Sequence, residues 1–252
     1  MDPAPSPEPA GPSPQPPASA LWAARVVALL EVLICSEYPT QIALSQTFVA
    51  LGFGPYTRAG QLRIGYVVGL SLADAVLLIA LVVMFLVAHG ESPRAIFNGG
   101  RRIGREAAVG IPMIFTALAI GIAVLFLVQR FAPQLHTVPE NPLQSLLHSK
   151  RNILLLAVVV IVAGGVREEI QRAFLLHRFE QWLGGGIVGV VVTSVMFGAG
   201  HLYEGIDAVV ATGLLGAFWG VVYLRRRSVV APMVSHSGFD LLQIVQFLVI
   251  GR

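Results

Sequence analysis

The sequence contains few charged residues. Asp, Glu, Lys and Arg make up 12% of its 252 residues, against about 25% in soluble domains. Hydrophobic residues make up 55%, and the mean hydropathy is +0.74. Together with several apolar runs of roughly 20 residues, this composition excludes an ordinary soluble domain and predicts a membrane protein. We expect an all-α fold, a polytopic transmembrane helix bundle of about seven to eight spans.

Cysteine is also scarce, and a pattern typical of nucleic-acid binding is absent. Cys35 is the single cysteine, which excludes an intrachain disulfide. The positive charge is nearly all arginine, and no basic stripe with interleaved aromatic residues occurs, so the pattern excludes a nucleic-acid partner. The net charge of +3 instead indicates membrane topology and contact with membrane lipid.

Two regions differ in composition. Residues 1–19 are rich in Pro, Ala, Ser and Gly, so we expect a disordered tail. Residues 20–252 form the expected integral membrane helical domain, with a motif-bearing core at about 150–245. The apolar runs predict spans within 21–53, interrupted near Pro39, and at 66–88, 107–128, 152–179, 187–202, 208–224 and 229–250.

Two arginine-rich connections predict the orientation in the membrane. They are Arg94–Arg105 and Arg225–Arg227, and short cytoplasmic loops are enriched in Lys and Arg. Both should therefore be cytoplasmic, which for seven spans puts the N-terminus in the cytoplasm as well. The expected location is a multi-pass position in a bacterial inner or plasma membrane.

Three polar clusters interrupt the later spans, and the first contains Glu168, Glu169 and Arg172. A charge within a transmembrane helix costs at least about 2.5–3.5 kcal/mol, so it normally faces a partner or a wet cavity. Arg172 follows Glu168 by four residues and Glu169 by three, which are both neighbouring positions on a helix. One Glu can therefore pair with Arg172 while the other stays free.

The other two clusters carry histidine. His201 ends the run Phe197-Gly-Ala-Gly-His, whose small residues would let another helix approach closely. His236 and Asp240 are four residues apart, so both side chains leave the same helix face. Counted from the assumed cytoplasmic helix ends, all three clusters fall in the middle of a hydrocarbon core about 30 Å thick.

Two histidines and one or two carboxylates at one depth suit two kinds of chemistry. Glu168, His201 and His236 could bind Zn²⁺ with an open coordination position, or the set could bind and activate a water directly. A Glu beside that water could act as general base. The alternative for each cluster is structural: an ion pair of Glu168 or Glu169 with arginine, and histidines that only pack.

The three motifs together resemble a known family. Glu-Glu followed by Arg, then Phe-x-x-x-His, then His-x-x-x-Asn/Asp on successive helices is similar to the CAAX-protease and bacteriocin-processing (Abi-type) intramembrane metalloprotease family. The resemblance covers about residues 150–245. It implies catalytic roles and supporting roles for the following residues: Glu168, Glu169, His201, His236 and Asp240 as catalytic, Arg172 and Phe197 as supporting. Asp240 stands where many members have Asn.

The first motif departs from the family pattern Glu-Glu-x-x-x-Arg. If Arg172 is the family arginine, Arg167 takes the first Glu position and Glu168 the second. If the two Glu residues are aligned instead, Ala173 stands where the arginine belongs. Arg172-Ala-Phe-Leu resembles the family's Arg-Gly-x-Leu, which favours the first register. Glu168 belongs to the pattern in both.

The resemblance implies an intramembrane endopeptidase. Its substrate would be a membrane-embedded or prenylated peptide, cleaved by a water that Glu168 or Glu169 activates with His201, with Zn²⁺ as a possible cofactor. The main alternative is a catalytically inactive family member that acts as a membrane scaffold or binding protein. A small transporter with a carboxylate–histidine relay is disfavoured because the sequence shows no repeat symmetry.

Overall fold

The computed structural model describes residues 17–139 and 141–250. Within these ranges the fold is all-α and contains no strand, as the composition predicts. The helices are α1 Ala18–Ile34, α2 Tyr38–Ala50, α3 Ile64–Ala88, α4 Pro93–Asn98, α5 Ile103–Phe131, α6 Lys150–Val159, a π-helical segment Val160–Arg167, α7 Glu168–Trp182, α8 Gly186–Ala199, α9 Ile206–Arg226 and α10 Val230–Ile250. Most of the tail expected at 1–19 lies outside the described residues; α1 begins at Ala18.

The first span is broken where the sequence predicts a break. Helices α1 and α2 meet at an angle of 43°, across the three residues from Cys35 to Glu37. Glu37 has a positive φ of 80°, which a non-glycine residue rarely adopts. The break is anchored to α7, because Gln171 Nε2 donates a hydrogen bond of 2.8 Å to the Cys35 carbonyl.

The span predicted at 152–179 is continuous but changes its helix type. A π-helical segment separates α6 from α7 and ends at Arg167, immediately before the first polar cluster. Such insertions are rare and often occur at functional sites. Here Gly165 lets α10 approach closely, because a Cβ atom on Gly165 would lie 1.8 Å from Ser237 Oγ.

The connections between helices gather at two ends of the bundle. At one end Arg227 forms an ion pair with Glu180, and the Val229 amide donates a hydrogen bond of 2.9 Å to the Phe97 carbonyl. This end therefore holds both arginine-rich connections. At the other end, His136 Nδ1 lies 2.7 Å from Asp207 Oδ2, which joins the loop after α5 to the start of α9.

Four helices are long and apolar enough to cross a membrane: α3, α5, α9 and α10. The bent pair α1–α2 would make a fifth crossing. Helix α8 is apolar but shorter, and the segment from α6 to α7 carries the first polar cluster. The protein is thus an integral membrane helix bundle, and the expected count of seven to eight spans stays a prediction.

Candidate active site

One cavity brings the three sequence clusters together. Its volume is about 690 Å³, and it lies between α7, α8, α9 and α10 with contributions from the α1–α2 break and α6. The expected site residues that line it are Glu168, Arg172, Phe197, His201, His236 and Asp240. Glu169 does not line it. The two adjacent carboxylates of the first motif therefore have different surroundings.

Glu169 lies at the centre of a buried polar group behind the cavity wall. Its side chain is 1% exposed and accepts a hydrogen bond from Arg172 Nη1. The same carboxylate oxygen, Oε1, lies 2.8 Å from His236 Nδ1 on α10. Donation by the Nδ1–H of His236 to this carboxylate fixes the ring and directs Nε2 toward the cavity.

Aromatic rings enclose this buried group. The Trp219 ring is stacked on His236, with centroids 3.8 Å apart and an angle of 17° between the planes. The Arg172 guanidinium lies over the Phe197 ring, 4.7 Å from its centroid, within cation–π range. Phe197 also meets the rings of both His201, at 4.9 Å, and His236, at 5.9 Å. These contacts limit the ring positions of both histidines.

Glu168 is the carboxylate that faces the cavity. Its Oε2 lies 3.8 Å from His236 Nε2, and its Oε1 lies 3.5 Å from Arg167 Nη2. On the far side, Asp240 Oδ2 lies 3.6 Å from the same His236 nitrogen. The imidazole edge of His236 therefore lies between two carboxylates, neither within direct hydrogen-bond distance.

His201 lies nearer the cavity rim, at the end of α8. Its Nδ1 lies 2.9 Å from the Phe197 carbonyl, which can only accept, so in the neutral ring Nδ1 carries the proton and Nε2 has a free lone pair. That nitrogen lies 3.9 Å from Glu204 Oε1. Glu204 is in turn bound by Asn141 Nδ2 at 2.6 Å, which joins the loop after α5 to the rim.

Sequence reasoning gave no role in the site to three residues near Glu168 and His236, which are Glu37, Asp74 and Trp219. Glu37 and Asp74 are charged residues within apolar spans, and the structure places both beside Arg167. Both could have been noticed from the sequence, because a charged residue in an apolar span is costly unless it has a partner. Trp219 gave no signal, since a tryptophan in an apolar run is ordinary.

The donor types around the cavity suit zinc, but their arrangement does not. In residues 17–139 and 141–250, no group of three His, Cys, Asp or Glu side chains is arranged to hold a metal ion. His236 Nδ1 is bound to Glu169, which leaves Nε2 as the nitrogen that could face a metal. Zinc binding by Glu168, His201 and His236 stays a prediction, which metal analysis of the purified protein would test.

A comparison with known families identifies the part of the chain that carries the site. Residues 150–242 match the model of the type II CAAX prenyl endopeptidase, Rce1-like, family. The matched segment runs from α6 into α10 and contains all three polar clusters, and it confirms the resemblance expected from the motifs. No curated protein and no solved structure matches the chain.

Proposed function

We propose that this chain is an active intramembrane endopeptidase, because its residues 150–242 match the model of the type II CAAX prenyl endopeptidase, Rce1-like, family. Its substrate is a membrane-embedded or prenylated peptide, and Glu168 activates the water that hydrolyses it. One observation supports this most directly: Glu168, His201, His236 and Asp240, from three separate segments, line one cavity inside the bundle.

Glu168 suits the role of general base better than Glu169. A base must reach the water whose proton it takes. Glu168 lines the cavity, whereas Glu169 is engaged by Arg172 and His236. Glu169 therefore serves as the fixed partner of His236.

The water would lie between Glu168 and His201. The free Nε2 lone pair of His201 can accept one hydrogen bond from it, while the Glu168 carboxylate accepts the other and takes the proton. The water oxygen then bonds to the scissile carbonyl carbon. When the carbon–nitrogen bond breaks, the proton passes from Glu168 to the leaving amine.

His236 would stabilise the charge that develops on the carbonyl oxygen. As an imidazolium, it donates Nε2–H into the cavity while Nδ1–H stays bound to Glu169. A donor that is already oriented in a site shielded from water can contribute about 2.7–4 kcal/mol to the transition state. The stack on Trp219 helps to keep the ring in this orientation.

The cavity walls fit a substrate with an apolar portion. Leu156, Val159 and Val160 line the cavity, as do Ile244 and Phe247 on α10. Polar residues lie among them, including Gln243, which can bind peptide groups. A lipid-modified or membrane-embedded peptide has both kinds of surface.

Cleavage of a reporter peptide tests the proposal. The parent protein, in detergent or vesicles, should cleave a prenylated or membrane-embedded reporter, and Glu168→Gln should lower the rate by about 100-fold or more. Glu180→Gln is a matched control because Glu180 lies at the far end of α7, outside the cavity. A parent that binds but does not cleave a broad reporter panel would support the inactive scaffold instead.

A further inference from the structure

The cavity is closed toward the end of the bundle that holds the two arginine-rich connections. Side chains that are at most 3% exposed fill the space between the site and that end: Phe174, Leu176, Trp219, Tyr223 and Ala231. Glu168 lies about 21 Å from the last residue of α7 at this end, at 1.5 Å of rise per residue. Within the part of the chain that the structure describes, no residue of either connection lines the cavity.

The opposite end of the cavity is open. Its rim is formed by the loop after α5 and the turn after α8, with the residues Asn141, Leu143, Gln144, Leu202, Tyr203 and Glu204. Leu143 is 40% exposed and Tyr203 is 87% exposed. Asn141 Nδ2 donates a hydrogen bond of 2.6 Å to Glu204 Oε2, which joins the two rim segments. Water and substrate can therefore enter the site at this end.

The basic residues predict which side of the membrane each end faces. The two connections at the closed end contain seven arginines, whereas the open end has five basic residues in or beside its connections. The seven are Arg94, Arg101, Arg102, Arg105, Arg225, Arg226 and Arg227, and the five are Arg58, Arg63, Arg130, Lys150 and Arg151. Because short cytoplasmic loops are enriched in Lys and Arg, the closed end should be cytoplasmic and the open end extracytoplasmic.

We propose that the catalytic cavity opens to the extracytoplasmic side of the membrane, and that its substrate is a membrane-anchored peptide whose scissile bond is exposed on that side. This inference rests on the proposed function and narrows its substrate class. A peptide that stays in the cytoplasm, with or without a lipid, would meet only the closed end of the bundle.

The open end has the two kinds of side chain that such a peptide requires. Leu143, Leu147 and Phe247 offer apolar surface to a membrane anchor. Asn141 and Gln144 carry side-chain amides, which can both donate hydrogen bonds to peptide groups and accept them. A peptide that leaves the membrane at this end would contact both surfaces on its way to Glu168.

Thiol labelling tests the side of the opening without relying on catalysis. Single cysteines replace Leu143 or Tyr203 in full-length protein in bacterial spheroplasts, and a membrane-impermeant maleimide is added outside. Both variants should be labelled while the membrane is intact. Arg94→Cys and Arg225→Cys, at the closed end, should be labelled only after the membrane is broken. The parent protein, whose Cys35 is 0% exposed, gives the background.

Thr212→Cys tests whether the interior of the cavity is continuous with that side. Thr212 lines the cavity on α9, so a small impermeant thiosulfonate added outside should label it. Ser194→Cys on α8 is the matched control, because Ser194 is 8% exposed and does not line the cavity. It lies at the same depth, since a Cβ on Gly213 would lie 3.3 Å from the Ser194 carbonyl oxygen. Equal protection of the two variants would contradict an open cavity.

Two reporters test the substrate class. Each carries the same cleavable peptide beside one transmembrane helix, on the extracytoplasmic side in the first and on the cytoplasmic side in the second. The parent should cleave the first alone. Cleavage of the second reporter overturns the proposal, as does labelling of Leu143→Cys and Tyr203→Cys only after the membrane is broken. If neither reporter is cleaved, the proposed function fails, while the labelling still decides where the cavity opens.

Discussion

Glu169 on α7 and His236 on α10 are joined directly, with 2.8 Å between Oε1 and Nδ1 across 67 residues of sequence. Glu169 also accepts a hydrogen bond from Arg172. The first and third motifs therefore form one buried unit. The adjacent residues Glu168 and Glu169 therefore have different surroundings: Glu168 faces the cavity, and Glu169 is bound to the histidine.

The two glutamates should respond differently to the same substitution. Glu169→Gln leaves the buried Arg172 charge without its counter-ion, so the free energy of unfolding should fall by about 3 kcal/mol. Glu168→Gln should cost little stability, because Glu168 faces a cavity. Unfolding of each variant in detergent, at matched expression, measures the difference. Equal losses in both variants would contradict the division of roles.

Close packing at Gly165 should be essential for the contact between the π-helical segment and α10. In Gly165→Ala the new Cβ would lie 1.8 Å from Ser237 Oγ and 2.9 Å from Ser237 Cβ. Overpacking of this kind costs about 1–3 kcal/mol. The double variant with Ser237→Gly removes both atoms and should recover most of the loss in thermal stability.

Gly104→Ala on α5 is the control for this substitution. No atom lies within 4 Å of the position that its Cβ would take, so the higher helix propensity of alanine should leave stability unchanged or raise it. A Gly165→Ala variant as stable as Gly104→Ala would show that α10 can move away without cost.

The sequence was sufficient to predict the helices and the pairing of motifs. Apolar length predicted α3, α5, α9 and α10, and the charges near Pro39 marked the break after α1. Helical spacing also predicted that Arg172 pairs with one glutamate and leaves the other free. These features are local, so they can be predicted from the periodicity of apolar residues and from the cost of a charge in lipid.

The remaining features depend on how helices rotate against one another. Spacing alone permitted Arg172 to pair with either Glu168 or Glu169. No sequence pattern predicted the π-helical segment, which ends immediately before Glu168. The neighbours of Arg167 come from α3 and the α1–α2 break. Such contacts over long sequence separations cannot be read from one helix at a time.

The two arginine-rich connections should be accessible from the same side of the membrane. Arg101 donates a hydrogen bond to the Arg226 carbonyl, so they meet at one end of the bundle. In cells, single cysteines at Arg94 and Arg225 should react with a reagent added to the cytoplasmic side, and one at Arg58 should react from the other side. The native Cys35 is buried. Labelling of Arg94→Cys and Arg225→Cys from opposite sides would refute this topology.

Glu91, in the connection after α3, should make stability depend on acid pH. Burial alone would raise the pKa of Glu91, but hydrogen bonds from Arg178, His177 and Gln181 outweigh burial and lower the pKa below its ordinary value. The resulting stability is present above the ordinary carboxyl pKa and is lost as the pH falls through the lower folded value.

Glu91→Gln should therefore be less stable than the parent at neutral pH, and the difference should shrink as the pH falls below the ordinary carboxyl pKa. Thermal unfolding in detergent over this range measures both proteins. A difference that stays constant with pH would mean that the ionised carboxylate contributes nothing.

Asp240 offers a test of how the carbonyl oxygen of the substrate is stabilised. Its Oδ2 lies 3.6 Å from His236 Nε2, and many members of the family have Asn at this position. An ionised carboxylate cannot donate a hydrogen bond and repels an oxyanion, whereas an amide donates at any pH. Asp240→Asn should therefore cleave the reporter at or above the parental rate at neutral pH.

Asp240→Ala distinguishes the effect of a hydrogen-bond donor from the effect of losing the negative charge. It removes the negative charge as Asn does but supplies no donor, so its kcat should fall well below that of Asp240→Asn, by about 100-fold if the amide acts as an oxyanion donor. The two variants are compared at equal amounts of folded protein, which gel filtration in detergent measures. If Asp240→Asn is as inactive as Asp240→Ala, the carboxylate itself is required. Asp240 would then act as a base or a ligand, and His236 would have to stabilise the oxyanion alone.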